Sequence, residues 1–244
     1  MKIVADYHTH TRHSHGKGTV LQNVAAAAAQ GLEKIAISDH GPKHMWGIGI
    51  AGVHILDTIR LEIDAAQRAY PKVQVLLGVE ANVTSIHGEI DIPIEVQSKL
   101  DVLQVGLHVM VRPEQLRDGL QRIVYHFGRG IHVGMHDKSR LLNTEAIVNA
   151  VYKQKIDIIT HPGHRLNIDT RELAKACAKS NTAFEINTSH DHITPELIAL
   201  VANEGVKFVI GSDAHRPKRV GDFAKGIALA KQAGLSKEQI LNAH

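Results

Sequence analysis

Strand-like apolar runs alternate with helical patterns seven times along this chain, and that alternation leaves few architectures open. The runs are Lys2–Tyr7, Lys34–Ser38, Val73–Val79, Val102–Leu107, Ile156–Thr160, Ala183–Ile186 and Val206–Gly211. Most are rich in Ile, Val and Leu and have no polar face, which suits parallel strands covered on both sides by helices. Repeated strand–helix units give a closed barrel or an open doubly wound sheet, and the pattern alone does not choose between them. Helix ends are legible too. Asp169–Glu172 and Ser236–Gln239 read as capping boxes, Thr194-Pro195 puts proline in a first turn, and Gly31, Gly205 and Gly234 fall where helices should stop. Ala25 to Ala29 reads as helix interior. With 244 residues and 43% apolar content, one large core is expected, a single domain over residues 1–244.

Two segments break the rhythm. Gly41 to Gly52 is glycine-rich, lacks periodicity and carries the only tryptophan, so it reads either as a mobile lid or as an ordinary loop with Trp46 packed on the rim. Val109 to Leu142 contains a helical pattern over Pro113–Phe127 and then His132 and His136 in a poorly patterned connection; it reads as an extended crossover. No apolar stretch approaches the ~20 residues of a membrane span, and Met1 leads into a strand pattern rather than an export signal. The single cysteine, Cys177, falls in a helical run and reads as a buried thiol, in keeping with a cytoplasmic protein. A formal charge of +3 without a Lys/Arg block does not argue for nucleic acid or membrane partners.

Histidine is over-used: 18 residues against 4 Phe, 4 Tyr and 1 Trp. Imidazole is the commonest metal ligand, so the positions of the histidines matter more than their number. The seven runs end, in order, at His8-Thr-His10, Asp39-His40, Glu80, His108, His161, Glu185 with Asn187, and Asp213-Ala-His215. In a parallel barrel all these ends open on one face, where active sites are built. A His-x-His pair leaving a strand points both rings to one side, because side chains alternate with period two. Any one of these elements alone is an ordinary occurrence; seven polar strand ends together are not.

Those residues carry a resemblance. His8-Thr-His10 with His15, Ser38-Asp39-His40-Gly41, Gly78-Val79-Glu80, Gly106-Leu107-His108, Thr160-His161-Pro162 and Gly211-Ser212-Asp213-Ala214-His215 resemble the PHP (polymerase and histidinol phosphatase) superfamily. The segments Glu80-Ala-Asn82, Gly88-Glu-Ile-Asp91, His161-Pro-Gly163 and Glu185-Ile-Asn187 are most similar to its YcdX-type phosphatase branch. The resemblance implies a distorted TIM-like (β/α)7 barrel and a trinuclear metal centre. It implies that His8, His10, Glu80 and Asp213 hold one ion, that Glu80 bridges to a second held by His108 and His161, and that His15, His40 and His215 hold a third. His13 competes with His15 for the last set. A long 109–142 crossover and an end at His244 short of a final helix depart from the family pattern and bear on pocket shape and on stability or assembly.

The function that follows is hydrolysis of small phosphomonoesters by a metal-activated hydroxide, with Glu80, Asp213 and Asp39 as catalytic residues. Three divalent ions are expected, zinc first because nitrogen donors dominate, with manganese or iron also compatible with the oxygen donors. Asp39, Glu185 and Asn187 are expected to orient ligating rings. The leaving group would be protonated by a metal-bound water, Asp39, His190 or His192. Arg12, Lys17, Lys43, Arg165 and Arg216 flank the ligands, while His44, His54, His87, His126, His132, His136, His164 and His244 read as ordinary residues. The resemblance implies self-association, a trimer. Alternatives are an amidohydrolase, a PHP-type nuclease and a non-catalytic metal-binding protein; the histidine two residues after Asp213 argues against the first, and the absence of basic blocks against the second.

Overall fold

The computed structural model describes residues 1–114 and 133–244. Seven strands, β1 (Ala5–Asp6), β2 (Lys34–Ile37), β3 (Gln74–Asn82), β4 (Val102–Gly106), β5 (Ile158–Ile159), β6 (Ala183–Asn187) and β7 (Phe208–Gly211), pair in parallel in chain order. Each expected run overlaps one of them; β3 continues past Val79 to Asn82 and β6 past Ile186 to Asn187. The choice that periodicity left open falls to the barrel, because the outer strands meet beyond their ends. Thr9 bridges Ala214, His10 N donates to Ala214 O (2.9 Å) and Ala214 N to His8 O (3.2 Å).

The opposite end of this seam is filled by residues 240–244. Ile3 and Ala243 form an antiparallel bridge, Lys2 N donates to His244 O (3.0 Å), and Leu241 N donates to Phe208 O (2.8 Å). Buried Asn242 spans the seam: its Nδ2 donates to Ala5 O (2.8 Å) and Ile210 O (2.9 Å), and its Oδ1 accepts from Ile210 N (3.1 Å). Asn242→Ala would strand buried backbone groups of two strands. We expect a loss of about 2 kcal/mol, read as a melting point lower by roughly 5 °C in a chain of this size; an unchanged melt would show that the seam does not depend on this side chain.

The period-two alternation sorts each strand into an outer and an inner face. Outer residues such as Ile35, Ile37, Leu77, Val79, Leu103, Val105, Phe184 and Ile210 join the main core with the helices. The inner stripes run from apolar to polar toward the strand ends. Ala36 leads to Ser38 and His40, Leu76 to Gly78 and Glu80, Val102 to Gln104 and Gly106, and Val209 to Gly211 and Asp213. Ala36, Val102, Ile158, Ala183 and Val209 form a small separate apolar cluster that plugs the barrel floor. The polar residues therefore lie above it, at one mouth.

Among the described residues the helices are α1 (Val20–Ala29), α2 (Ile55–Ala69), α3 (Ile94–Gln97), α4 (Val133–Lys153), α5 (Thr170–Ser180), α6 (Pro195–Ala202) and α7 (Ala224–Gln232). Asp169 caps α5 through Glu172 N and Thr194 caps α6 with Pro195 at its first turn. Gly31, Gly205 and Gly234 have φ of 68°, 84° and 74°. The capping box at Ser236 starts a single 3-10 turn, Lys237–Gln239, rather than an α-helix, since the chain turns at once into the seam-filling segment. Cys177 is buried in α5 and burial pushes its thiol up to about 12, so it stays protonated.

Two expectations are corrected. His136 is not in an irregular connection but exposed on α4, which begins within the 109–142 segment. Trp46 is not packed on the rim; it is 76% exposed, at φ 58°. The helix expected at Pro113–Phe127 falls almost wholly outside the described residues, as do His126 and His132. Among the described residues no helix is long and apolar enough to cross a membrane.

Candidate metal centre

At the barrel mouth the residues expected at six of the seven strand ends converge around Glu80. Glu80 is fully buried, and its two oxygens face different partners. Oε2 lies 3.4 Å from His8 Nε2 and 3.7 Å from His10 Nε2, and Asp213 Oδ1 lies 3.6 and 3.3 Å from the same two nitrogens. Four donors around one ion at 2.0–2.2 Å would stand about 3.3–3.6 Å apart. The four separations, 3.3–3.7 Å, are close to that spacing; His8, His10 and Asp213 form one group of ligand atoms within 4.8 Å of one another, and His8, Glu80 and His161 form another. His8 Nε2 and His10 Nε2 are buried with no hydrogen-bond partner, an arrangement that costs free energy unless a cation completes it.

Oε1 faces the other way. It lies 2.7 Å from His161 Nε2 and 3.4 Å from His108 Nε2, and accepts from Thr160 Oγ1 (2.7 Å). A third nitrogen set, His10, His40 and His215, has ligand atoms within 4.8 Å of one another. His15 stands beside it, its ring 4.1 Å from that of His215 and 4.9 Å from that of His40. His13 turns away, to Glu62 Oε1 at 3.1 Å, so of the two it is His15 that reaches the mouth. His40 Nδ1 is 2.7 Å from Glu80 Oε2.

Close approach explains two glycines. A Cβ on Gly106 would sit 2.5 Å from the His108 ring and 2.8 Å from Glu80 Oε1, and one on Gly211 would sit 2.0 Å from Glu185 Oε1. Two of the converging residues are held in the left-handed region, His161 at φ 28° and Asp213 at φ 50°, local strain of the kind that persists where the surroundings fix it.

Hydrogen bonds behind the cluster set which ring nitrogen faces inward. His8 Nδ1 donates to Glu185 Oε1 (2.7 Å), whose other oxygen accepts from His161 N (2.7 Å) and Asn187 Nδ2 (3.1 Å); Asn187 Nδ2 also reaches Asp213 Oδ2 (3.2 Å). His215 Nδ1 donates to Asp213 O (3.0 Å), leaving Nε2 inward and unpartnered. Glu185 thus meets the His8 ring as expected, whereas Asn187 meets the carboxylates of Glu185 and Asp213 and no ring. A second chain of this kind went unread in the sequence: Asp91 accepts from Asn82 Nδ2 (2.6 Å), which makes Asn82 Oδ1 an acceptor for His108 Nδ1 (2.7 Å). Asp39, in contrast, accepts from Thr11 N (2.7 Å), Thr11 Oγ1 (2.6 Å) and Ser14 Oγ. Its bonds hold the turn that leads to His15 rather than an imidazole.

Electrostatics follow from this crowding. Burial opposes charge on Glu80 and on Asp213, yet the imidazoles of His40 and His8 beside Glu80, and of His8 and His10 beside Asp213, outweigh it and hold both carboxyls well below the usual range. Burial also opposes charge on His8, and there Glu185, Asp213 and Glu80 raise it well above the ordinary imidazole value. Burial lowers His40 well below that value and His215 to about 3. The lowered carboxyls and the lowered His40 and His215 favour the donor forms a metal needs, whereas the raised His8 and His161 must give up a proton to bind one.

The cluster floors a cavity of about 260 Å³, walled by Ile48, Leu107, Val109 and Met110 on its apolar parts and by His44, His164, Arg165 and His190 elsewhere. His44 and His164, expected to be ordinary residues, are thereby brought to the site. Of the flanking cations Arg165 lines the cavity, whereas Lys43 pairs with Glu114.

Comparison with known proteins gives a consistent result. A family model described as PHP domain matches residues 6–242. A probable phosphatase of Thermoanaerobacter sp. (strain X514) is 32% identical over 99% of this chain and 91% of its own length. A probable phosphatase of Aeromonas hydrophila is 30% identical over 99% and 90%. Among solved structures, the histidinol phosphate phosphatase of Lactococcus lactis, complexed with zinc, L-histidinol and phosphate, superposes with a TM-score of 0.63 over 95% of this chain and 94% of that one, at 18% identity.

Proposed function

The chain belongs to the PHP domain family, and from that premise we propose that it is a metal-dependent phosphatase acting on small phosphomonoesters, with three divalent ions held by its barrel mouth. The observation that carries this reading is the division of Glu80, one oxygen toward His8 and His10 and the other toward His108 and His161. His8, His10, Glu80 and Asp213 would hold the first ion, Glu80, His108 and His161 the second, and His15, His40 and His215 the third. Nitrogen donors outnumber oxygen donors, which favours zinc over manganese or iron. Such ions, when bound, neutralise phosphate and make water nucleophilic near neutral pH.

The side chains have distinct tasks around that chemistry. Glu185 and Asn82 fix the rings of His8 and His108, Asp39 fixes the turn that carries His15, and Ile48, Leu107, Val109 and Met110 form an apolar side of the cavity. Arg165 on the wall is placed to meet a phosphate oxygen. Among the proton-donor candidates His190 lines the cavity, with Nε2 3.2 Å from Asp213 Oδ2, and we assign the leaving-group proton to it. A cavity of about 260 Å³ suits a small ester rather than a polymer.

The test is a substrate panel on zinc- and manganese-reconstituted protein: alkyl, aryl and sugar phosphomonoesters beside phosphodiesters, single-stranded DNA and cyclic amides. Phosphate release from monoesters should lead by at least about tenfold in kcat/KM, a difference of roughly 1.4 kcal/mol in transition-state stabilisation. Faster cleavage of diesters or of amides would replace this reading with the nuclease or the amidohydrolase one.

A further inference from the structure

Three imidazoles that line the cavity, those of His44, His164 and His190, have no place in the three ligand sets. His44, in the loop after β2, has its ring 5.0 Å from that of His40 and 5.0 Å from that of His108, and the last two are 5.2 Å apart. Three imidazoles bound to one tetrahedral ion at about 2.0–2.1 Å would have ring centres about 5.2 Å apart. The triangle is thus nearly equilateral and of the required size. The three residues offer nitrogens within 4.8 Å of one another, and His44 Nδ1 is buried with no hydrogen-bond partner. By comparison the centres of His10, His40 and His215 are spaced unevenly, at 4.3, 4.4 and 6.0 Å.

His44 is also held in position by backbone on both sides. It forms an antiparallel bridge with Val111, Met45 N donates to Met110 O (2.9 Å), and Arg112 N donates to Lys43 O (2.9 Å). The loop is therefore laced to the segment that follows His108. Asn82 fixes His108 at Nδ1, so that ring offers Nε2.

We propose that His40, His44 and His108 form an auxiliary, nitrogen-only seat for a zinc-class ion at the mouth of the cavity, and that filling it competes with the central cluster. This rests on the metal-centre reading above, since His40 and His108 serve there as ligands and a ring nitrogen serves one ion at a time. The central sets include carboxylates and accept harder ions; three imidazoles without a carboxylate select zinc, cobalt or copper over manganese and magnesium. Low zinc would fill the centre, and excess zinc would occupy the auxiliary seat, draw His40 and His108 from their central positions and inhibit. Excess manganese would not.

The experiment compares metal-loaded wild type, His44→Gln and His44→Cys by equilibrium dialysis with zinc, by cobalt absorption spectra and by activity against added zinc. Wild type should take up a further, weakly held zinc that His44→Gln binds at least about tenfold more weakly, with the zinc concentration for half-inhibition rising in step. His44→Cys should restore uptake and add a thiolate-to-cobalt charge-transfer band. Equal zinc uptake and equal inhibition in wild type and His44→Gln would overturn the auxiliary seat. Uptake that is unaffected by Glu80→Ala would instead overturn the central reading, whatever His44 does.

Discussion

Glu80→Ala is expected to lower phosphomonoester turnover by roughly 10³-fold or more, about 4 kcal/mol of transition-state stabilisation, and to lower metal content in the same preparation. Glu80 faces the Nε2 atoms of both the His8–His10 pair and the His108–His161 pair with its two oxygens. Removing it leaves His8 and His40 facing a gap and deprives two of the three ligand sets of an oxygen donor. Glu80→Gln keeps the shape and loses the charge, so it should be nearly as inactive while unfolding less readily. Activity and elemental analysis on the same sample check both; full activity in Glu80→Ala would contradict the account.

Chelation is expected to lower the melting point by about 10 °C. Ligands present at roughly a thousand times their dissociation constant stabilise a fold by about 4 kcal/mol, and about 2–4 °C per kcal/mol applies to chains of this length. The sign of the pH effect in the stripped protein follows from the imidazoles. Burial, reinforced by neighbouring imidazoles, lowers His164 and His215 to about 3 and His44 and His192 to about 4, and burial lowers His40 well below the ordinary value. The unfolded chain binds protons at these sites below about pH 6.5 and the folded chain does not, so stability is lost as pH falls through that range. His8 and His161, which are raised, act in the opposite sense, and the group of five sets the slope. Metal uptake needs the same neutral rings, so acidification also weakens binding. Melting curves with and without chelator between about pH 5 and 8 measure both effects.

Closure into a barrel is implied only by the family resemblance, but the parallel strands and most of their polar ends are legible because one rule, alternation with period two, applies along every strand. It tells which face a residue takes, and parallel pairing in chain order then brings His8, Glu80, His161 and Asp213 together. The rule stops where the strands stop. Asp91 reaches Asn82 only because the chain folds back, with Ile90 bridged to Val83, and no periodicity announces that return. His44 lies in a loop whose position is set by bonds to Met110, Val111 and Lys43's partner Arg112, contacts that a local pattern does not encode. Asp39 is expected to orient a ring, but it lies past the end of β2 and its carboxylate meets Thr11 and Ser14 instead. Asn242 gave no signal, since closing a seam depends on which strands happen to be the outer pair.

Diffraction from zinc-loaded crystals, recorded on both sides of the zinc absorption edge, tests the central claim most directly. An anomalous peak is expected in contact with His8, His10, Glu80 and Asp213, and a second across Glu80 beside His108 and His161. Zinc peaks elsewhere with Glu80 touching none of them would contradict it.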